Sequence, residues 1–377
     1  MKNKKTILFI ITNFDRNGAQ VILYNILSKI DRSLFKPVVI SLMSTSDFNN
    51  QFQELEIPIY ALGMQQRLPN ITHLSKLVSI IKKHQPDIIQ GWMYHGNIAS
   101  CFASLFSSHS PPVIWSIHHS INELSAEKLL TQLLIRIGTL LSSFTREIAY
   151  VSKTSQEQHE KLGYATQKSC VIPNGFDTSL FVPSAEKRNA FRNELNLTEA
   201  ETVIGIAARY HPMKDHHNFL TAAALLVPKF PNVHFVLVGD GVDESNTTLT
   251  ELVKTARLQK HVHLLGKRID MPNIFAALDI LTSASAYGEA FPLVVGEAMS
   301  CQVTCVVTDV GDSAFLVGDT GIVVPTKDPE SLANSWSTLI TRTPEQRFLM
   351  EKAARQRILD SFSLESIVKQ YEGMYVS

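Results

Sequence analysis

Along this chain, short apolar runs alternate with longer stretches in which apolar residues return every three or four positions. The runs at 6–12, 38–42, 57–62, 87–90, 113–117 and 148–151 lack the strict polar alternation of a half-exposed strand. They predict strands buried on both faces, while 19–30, 73–84 and 96–106 have helical period. Strands separated by helices predict a parallel sheet covered on both sides. The pattern then restarts, with strands expected at 203–207, 234–238, 262–265, 280–281, 305–308 and 322–324.

Between the two series, Pro173, Asn174 and Gly175 supply turn chemistry and Pro183 adds a further break. The expected organisation is therefore two βαβ domains, 1–172 and 185–360. The stretch 344–375 reads as two helices interrupted near 361–363, and the terminal helix, 361–377, is expected to return to the first domain. In open parallel sheets ligands bind beyond the carboxyl ends of the strands, so a cleft between two such domains is the expected site.

Bulk properties narrow the function classes. Lys plus Arg and Asp plus Glu each number 35, so net charge is zero and no broad attraction to nucleic acid is expected. Four scattered cysteines fit a reducing compartment, and Cys301 and Cys305 lack histidines at zinc-site spacing. Lys2, Lys4 and Lys5 precede an apolar run at 7–11 that is too short for a secretory leader. No run approaches the ~18 apolar residues of a membrane span. A soluble or peripheral protein is expected.

Candidate chemistry clusters at predicted strand ends. Arg209 and Lys214 follow the strand 203–207; two cations there suit a pyrophosphate, or are ordinary surface charges. Glu289 and Glu297 lie eight apart around Phe291, Pro292, Leu293 and Val294. The first amides of that helix would face an anion, and a carboxylate accepts two hydrogen bonds from a vicinal diol. Two surface glutamates near a helix start are the plainer alternative. Gly239-Asp240-Gly241 is a glycine turn without the full dinucleotide fingerprint, and Arg268 lies in the turn after the next strand. In the first half, Gly18 opens a helix after strand one, with Asp15 nearby, and His118 and His119 end the strand 113–117. His261 and His263 share one face of a strand without an evident third ligand, so no metal site is expected there. Leu129, Leu130, Leu133, Leu134, Ile137, Leu140 and Leu141 form a helical stripe, read as core in preference to a membrane-facing surface.

Arg209 and Lys214 in an R-x4-K arrangement, followed by the E-x7-E pair Glu289 and Glu297, resemble glycosyltransferase family 4. Pro173-Asn174-Gly175, Gly239-Asp240-Gly241 and Asp309-Val310-Gly311 fall in the family's order. The resemblance covers nearly the whole chain and is strongest over 151–325. It implies an α/β GT-B fold of two Rossmann-like domains facing each other across a cleft, the first on the acceptor side and the second holding the donor. It implies a retaining, metal-independent transfer from a nucleotide-diphosphate sugar, UDP- or GDP-linked, with no cofactor. The acceptor would be a saccharide or lipid-linked saccharide in surface polysaccharide or glycolipid synthesis, in the cytoplasm or peripherally at the inner face of the membrane.

The implied catalytic group is His118, Arg209, Lys214 and Glu289. Arg209 and Lys214 would neutralise the diphosphate, Glu297 bind the ribose and Glu289 the transferred sugar. Gly18 and the 291–294 segment complete the implied donor contacts; Gly241 and Arg268, in turns at strand ends, are added as donor candidates by position, with a plain solvated turn equally open for Arg268. Two departures stand out: Asn17-Gly18-Ala19-Gln20 replaces the family's Gly-Gly-Ala-Glu, and Asp312 stands where a glycine is common. A sugar-nucleotide epimerase of the same fold and a non-catalytic sugar-nucleotide-binding subunit are the competing readings.

Overall fold

The computed structural model describes residues 4–15, 18–44, 49–64 and 71–376. They divide into two compact units, one formed by Met1–Gly175 with Leu364–Ser377 and the other by Phe176–Ser363.

The first unit is built on seven parallel strands: β1 (Lys5–Ile11), β2 (Phe35–Ser41), β3 (Ile59–Ala61), β4 (Ile88–Trp92), β5 (Val113–Ile117), β6 (Glu147–Tyr150) and β7 (Ser169–Val171). Their spatial order is β3-β2-β1-β4-β5-β6-β7. Ile7 to Ile11 are fully buried, as a central strand covered on both faces requires. The edge strand β7 is absent from the sequence reading: three residues with Ser169 and Cys170 are too short and too polar to stand out. The helix expected at 96–106 instead occupies Met93–Leu105, directly after β4. Met93, at φ 63°, makes the turn without any glycine or proline to signal it.

The terminal helix Leu364–Val376 belongs to this first unit. Tyr375 is sealed against Phe9 and Phe35, its hydroxyl donates to Gln90, and Lys5 Nζ donates to its carbonyl at 2.8 Å. Its apolar face, Ile367, Val368, Tyr371, Met374 and Tyr375, is buried.

The second unit has six parallel strands: β8 (Thr202–Ala207), β9 (Val233–Val238), β10 (Val262–Leu264), β11 (Ile280–Ser283), β12 (Thr304–Thr308) and β13 (Ile322–Val324). Their order is β10-β9-β8-β11-β12-β13. The core includes Phe219, Phe235 and Trp336, each fully buried. The Trp336 indole N–H is satisfied by Thr282 Oγ1 at 2.9 Å. Helix starts follow local chemistry. Thr343 and Gln346 form a reciprocal capping box with Pro344 at the first turn, and Asp328 caps the helix that begins at Pro329.

At the amino-terminal ends of β8 and β11, a partly buried ion network ties the helix Ala185–Glu194 to the sheet. Asp279 accepts from Arg192 at 2.7 Å, from Arg188 at 2.8 Å and from the Val203 amide at 2.7 Å. Arg192 is 2% exposed and also donates to the carbonyls of Thr198 and Glu201. Removing one partner strands the other charge in a low-dielectric setting. Asp279→Ala is expected to cost about 3 kcal/mol, read as a lowered midpoint in urea; an unchanged midpoint refutes a structural role for the network.

Candidate active site

In each sheet the chain leaves the first strand toward one edge and later returns to the other side of it. These reversals lie between β1 and β4 and between β8 and β11. At such a point two loops diverge and leave an opening at the carboxyl rim.

In the second unit, the loop after β8 carries Arg209 and Lys214, and the loop after the adjacent β11 carries Glu289. The structure joins two of these three directly: the Lys214 ammonium pairs with Glu289 Oε1. Ser285 Oγ donates to the same oxygen at 2.7 Å. Glu289 is 9% exposed, so the ammonium and the hydroxyl offset the loss of water around its charge. Arg209 is exposed and makes no ion pair among the described residues.

Local structure explains these positions. A short 3-10 turn, Pro212–Lys214, follows β8, capped by His211, whose Nδ1 accepts from the Met213 amide at 3.2 Å. Asp215, at φ 47°, then caps the helix His216–Leu226 by accepting from the Asn218 amide at 3.1 Å. The Ala286 amide donates to the Met213 carbonyl at 2.8 Å, locking the Lys214 turn to the Glu289 loop. Two glycines permit this packing. A Cβ at Gly239 would lie 2.1 Å from the Ala208 carbonyl, and one at Gly311 would lie 2.2 Å from the Glu289 carbonyl.

Gly241 lies in the turn after β9, whose Asp240 carbonyl accepts from the Tyr210 amide at 2.7 Å, so it borders the Arg209 loop. Phe291 and Pro292 are buried, and the Phe291 ring stacks on Phe176 at 6.3 Å and meets Phe362 at 5.5 Å and 55°. The helix Leu293–Ser300 begins immediately afterwards, with no side-chain cap on its first amides. Leu293 and Val294 form its first turn, and Glu297, partly buried, comes one turn later. Arg268 is engaged elsewhere. Its guanidinium is held by Asp270 at 2.8 Å and Glu194 at 2.7 Å, so its charge is already neutralised. The sequence reading, which left a nucleobase contact and a solvated turn both open, did not bring in Glu194, 74 positions away.

In the first unit, Trp92 joins the two predicted elements. Its indole donates to the Ala19 carbonyl at 2.8 Å, beside Gly18 at the start of the helix Gly18–Lys29. Its ring stacks on His118 at 4.5 Å and 29°. Asn17 lies outside the described residues. Asp15 is exposed and accepts from Asn13. His119 turns away from this group and pairs with Glu127 at 2.8 Å.

Among the described residues no three His, Cys, Asp or Glu side chains are grouped to hold a metal ion. His261 and His263 flank His234, and His234 Nδ1 lies 3.1 Å from His263 Nε2 as a hydrogen-bonded pair. Sequence reasoning missed Ser285 and Trp92. A small polar residue after an apolar run and one aromatic among many carry no pattern of their own.

Two family profiles match the chain: "Glycosyltransferase Family 4" over residues 16–180 and "Glycosyl transferases group 1" over residues 201–342. Among curated proteins, the chain is 25% identical to the Escherichia coli UDP-Gal:alpha-D-GlcNAc-diphosphoundecaprenol alpha-1,3-galactosyltransferase, over 82% of this chain and 80% of that one. It is 24% identical to the N-acetyl-alpha-D-glucosaminyl L-malate synthase of Bacillus anthracis, over 86% and 81%. The crystal structure of Anabaena HepE in complex with UDP superposes with a TM-score of 0.86 at 24% identity, over 98% and 99% of the two chains. The fold is thus that of the GT-B transferases.

Burial pushes the His118 imidazole down to about 4, partly countered by the polar Asn174 side chain nearby. The sign follows directly: the folded chain holds His118 neutral where an unfolded one takes a proton, near 6.5. Its contribution to stability is present above pH 6.5 and is lost as pH falls toward 4. NMR titration of the imidazole should show it neutral at pH 5.5; half-protonation near 6.5 would contradict the buried stack.

Both profiles, covering most of the sequence between them, and relatives aligned over four-fifths of their length lead to one assignment: the chain belongs to glycosyltransferase family 4, and its activity is the transfer of a glycosyl group.

Proposed function

We propose that the transferred group comes from a nucleoside-diphosphate sugar, UDP- or GDP-linked, with retention of configuration and without a bound metal. The observation that carries this reading is the pair of cations, Arg209 and Lys214, at the switch point of the second sheet. The diphosphate would take the Lys214 ammonium from Glu289, with Arg209 and the first amides of the helix Leu293–Ser300 as further donors. As the C1–phosphate bond breaks, negative charge grows on the departing oxygen. Cations fixed there lower the barrier without reorganising. Glu289 would then accept from the transferred sugar and Glu297 from the ribose, with Gly241 and the 291–294 backbone nearby.

The acceptor is assigned to a saccharide or lipid-linked saccharide. Its hydroxyl oxygen bonds to C1 on the face the nucleotide leaves, and its proton passes to the leaving phosphate oxygen. No covalent intermediate is needed. Gly18 and His118, held together by Trp92, are assigned as further candidate contacts on the first domain, His118 as a neutral imidazole. The names of similar proteins support the choice of substrates. The E. coli enzyme is named for a UDP-linked galactose donor and a diphosphoundecaprenol-linked acceptor, and HepE has been solved with UDP-glucose. Two cations on one rim also favour transfer over the epimerase and binding-subunit readings.

A peripheral membrane contact, at the cytoplasmic face, is part of this proposal. The helix Leu129–Leu141 was expected to bury its leucine stripe, but it buries only Ile135 and Gly138. Leu129 (83%), Leu133 (53%) and Leu140 (74%) are exposed, and Phe144 continues the face. Lys128 and Arg136 flank it, which suits an anionic headgroup layer. Among the described residues no helix is long and apolar enough to cross a membrane.

A melting screen against UDP-, GDP- and ADP-sugars should raise Tm with one nucleotide class, since a donor bound only to the native state stabilises it. With that donor, Lys214→Ala should lower kcat at least ~100-fold, while excess EDTA leaves the wild type unaffected. A near-normal Lys214→Ala rate would refute the diphosphate assignment. For the membrane contact, Leu133→Asp with Leu140→Asp should reduce sedimentation with phosphatidylglycerol vesicles about tenfold or more at unchanged Tm. Equal sedimentation of variant and wild type rules the surface out.

A further inference from the structure

Glu289 presents its two carboxylate oxygens to different surroundings. Oε1 accepts from Ser285 Oγ at 2.7 Å and pairs with the Lys214 ammonium. Oε2 has no hydrogen-bond partner among the described residues. Ser285 itself is 2% exposed, in the turn that follows β11.

The backbone around this carboxylate is fixed from both sides. Thr308 Oγ1, at the end of β12, donates to the Ser285 carbonyl at 2.7 Å and lies 3.2 Å from the Ser283 carbonyl. The Asp312 amide donates to the Ala290 carbonyl at 3.0 Å, and Gly311 packs on the Glu289 carbonyl. A glutamate side chain nevertheless keeps three rotatable bonds on a fixed backbone. Besides packing, the two donors to Oε1 restrain them. One donor, Lys214, is the group that the proposed function sends to the donor diphosphate. The other is a neutral hydroxyl that no phosphate competes for.

We propose that Ser285 is a positioning residue for Glu289: its hydroxyl keeps Oε1 anchored when Lys214 exchanges the carboxylate for the diphosphate, leaving Oε2 aimed at a hydroxyl of the transferred sugar. This inference rests on the donor reading above. It adds that the empty and loaded sites differ in the partner of Lys214 and not in the place of Glu289. The serine touches no reacting atom and acts through Glu289 alone. Without it, the loaded site would hold a carboxylate with no internal donor, free to rotate away from the sugar.

A double-mutant cycle separates this role from general packing. With the UDP- or GDP-sugar that the wild type uses best, Ser285→Ala is expected to lower kcat about tenfold with KM nearly unchanged. In the Glu289→Ala background the same change should alter kcat by less than about twofold, because the group it positions is gone. Binding of free UDP or GDP, measured by calorimetry, should stay within about twofold in Ser285→Ala, since the diphosphate contacts Lys214 and not the Ser285–Glu289 pair. Ser285→Thr keeps the hydroxyl and should recover most of kcat; if its added methyl prevents folding, the cycle alone decides. Equal losses in both backgrounds, or an undiminished Ser285→Ala rate, overturn the proposal while leaving the transfer reading intact. A wild type that turns over no UDP- or GDP-sugar overturns both together.

Discussion

Parallel strand pairing is the constraint from which the rest of this molecule follows. Strands that run the same way must be joined by crossovers, so every strand opens its carboxyl end on one rim. In the second domain that rim collects Arg209 and Lys214 after β8, Gly241 after β9 and Glu289 after β11, residues far apart in the chain. Reversal of strand order beside β8 then leaves room where these loops diverge. The same rule in the first domain sets the helix start at Gly18 near Trp92 and His118.

On this rim one cation and one carboxylate are paired within the protein. Lys214 and Glu289 satisfy one another, and Ser285 supplies the remaining donor to the shared oxygen. A partly buried cation and carboxylate would each be costly alone, so their pairing maintains an empty site at little cost in stability. Arg209 stays exposed, with no ion pair among the described residues. Stability is supplied at the other end of the sheet, where Asp279 binds two arginines and a strand amide.

Periodicity had an instructive failure at the helix Leu129–Leu141. Its stripe has the spacing of a core face, and Leu134, Ile135 and Leu141 do pack inward with Trp115, Tyr150 and Tyr164. Leu129, Leu133 and Leu140 nonetheless face solvent. A helical repeat states that apolar residues share a side; it does not state what lies against that side. Arg268 illustrates the same limit for charge. A cation at a strand end is a ligand candidate by position, and spacing does not reveal that Glu194, 74 positions away, pairs with it.

The sequence by itself determined the strand and helix alternation, the restart of the pattern after Gly175, and the cations and carboxylates of the R-x4-K and E-x7-E segments. These are local matters, since periodicity, turn chemistry and spacing act over a few residues. Tertiary structure alone decided that Lys214 meets Glu289 across 75 positions, that Ser285 anchors the same oxygen and that the leucine stripe faces outward. It also added β7, whose three residues gain strand structure only by pairing with β6. The physical reason is common to all four: partners and burial are set by where the chain's distant segments come to rest, and no local pattern encodes that.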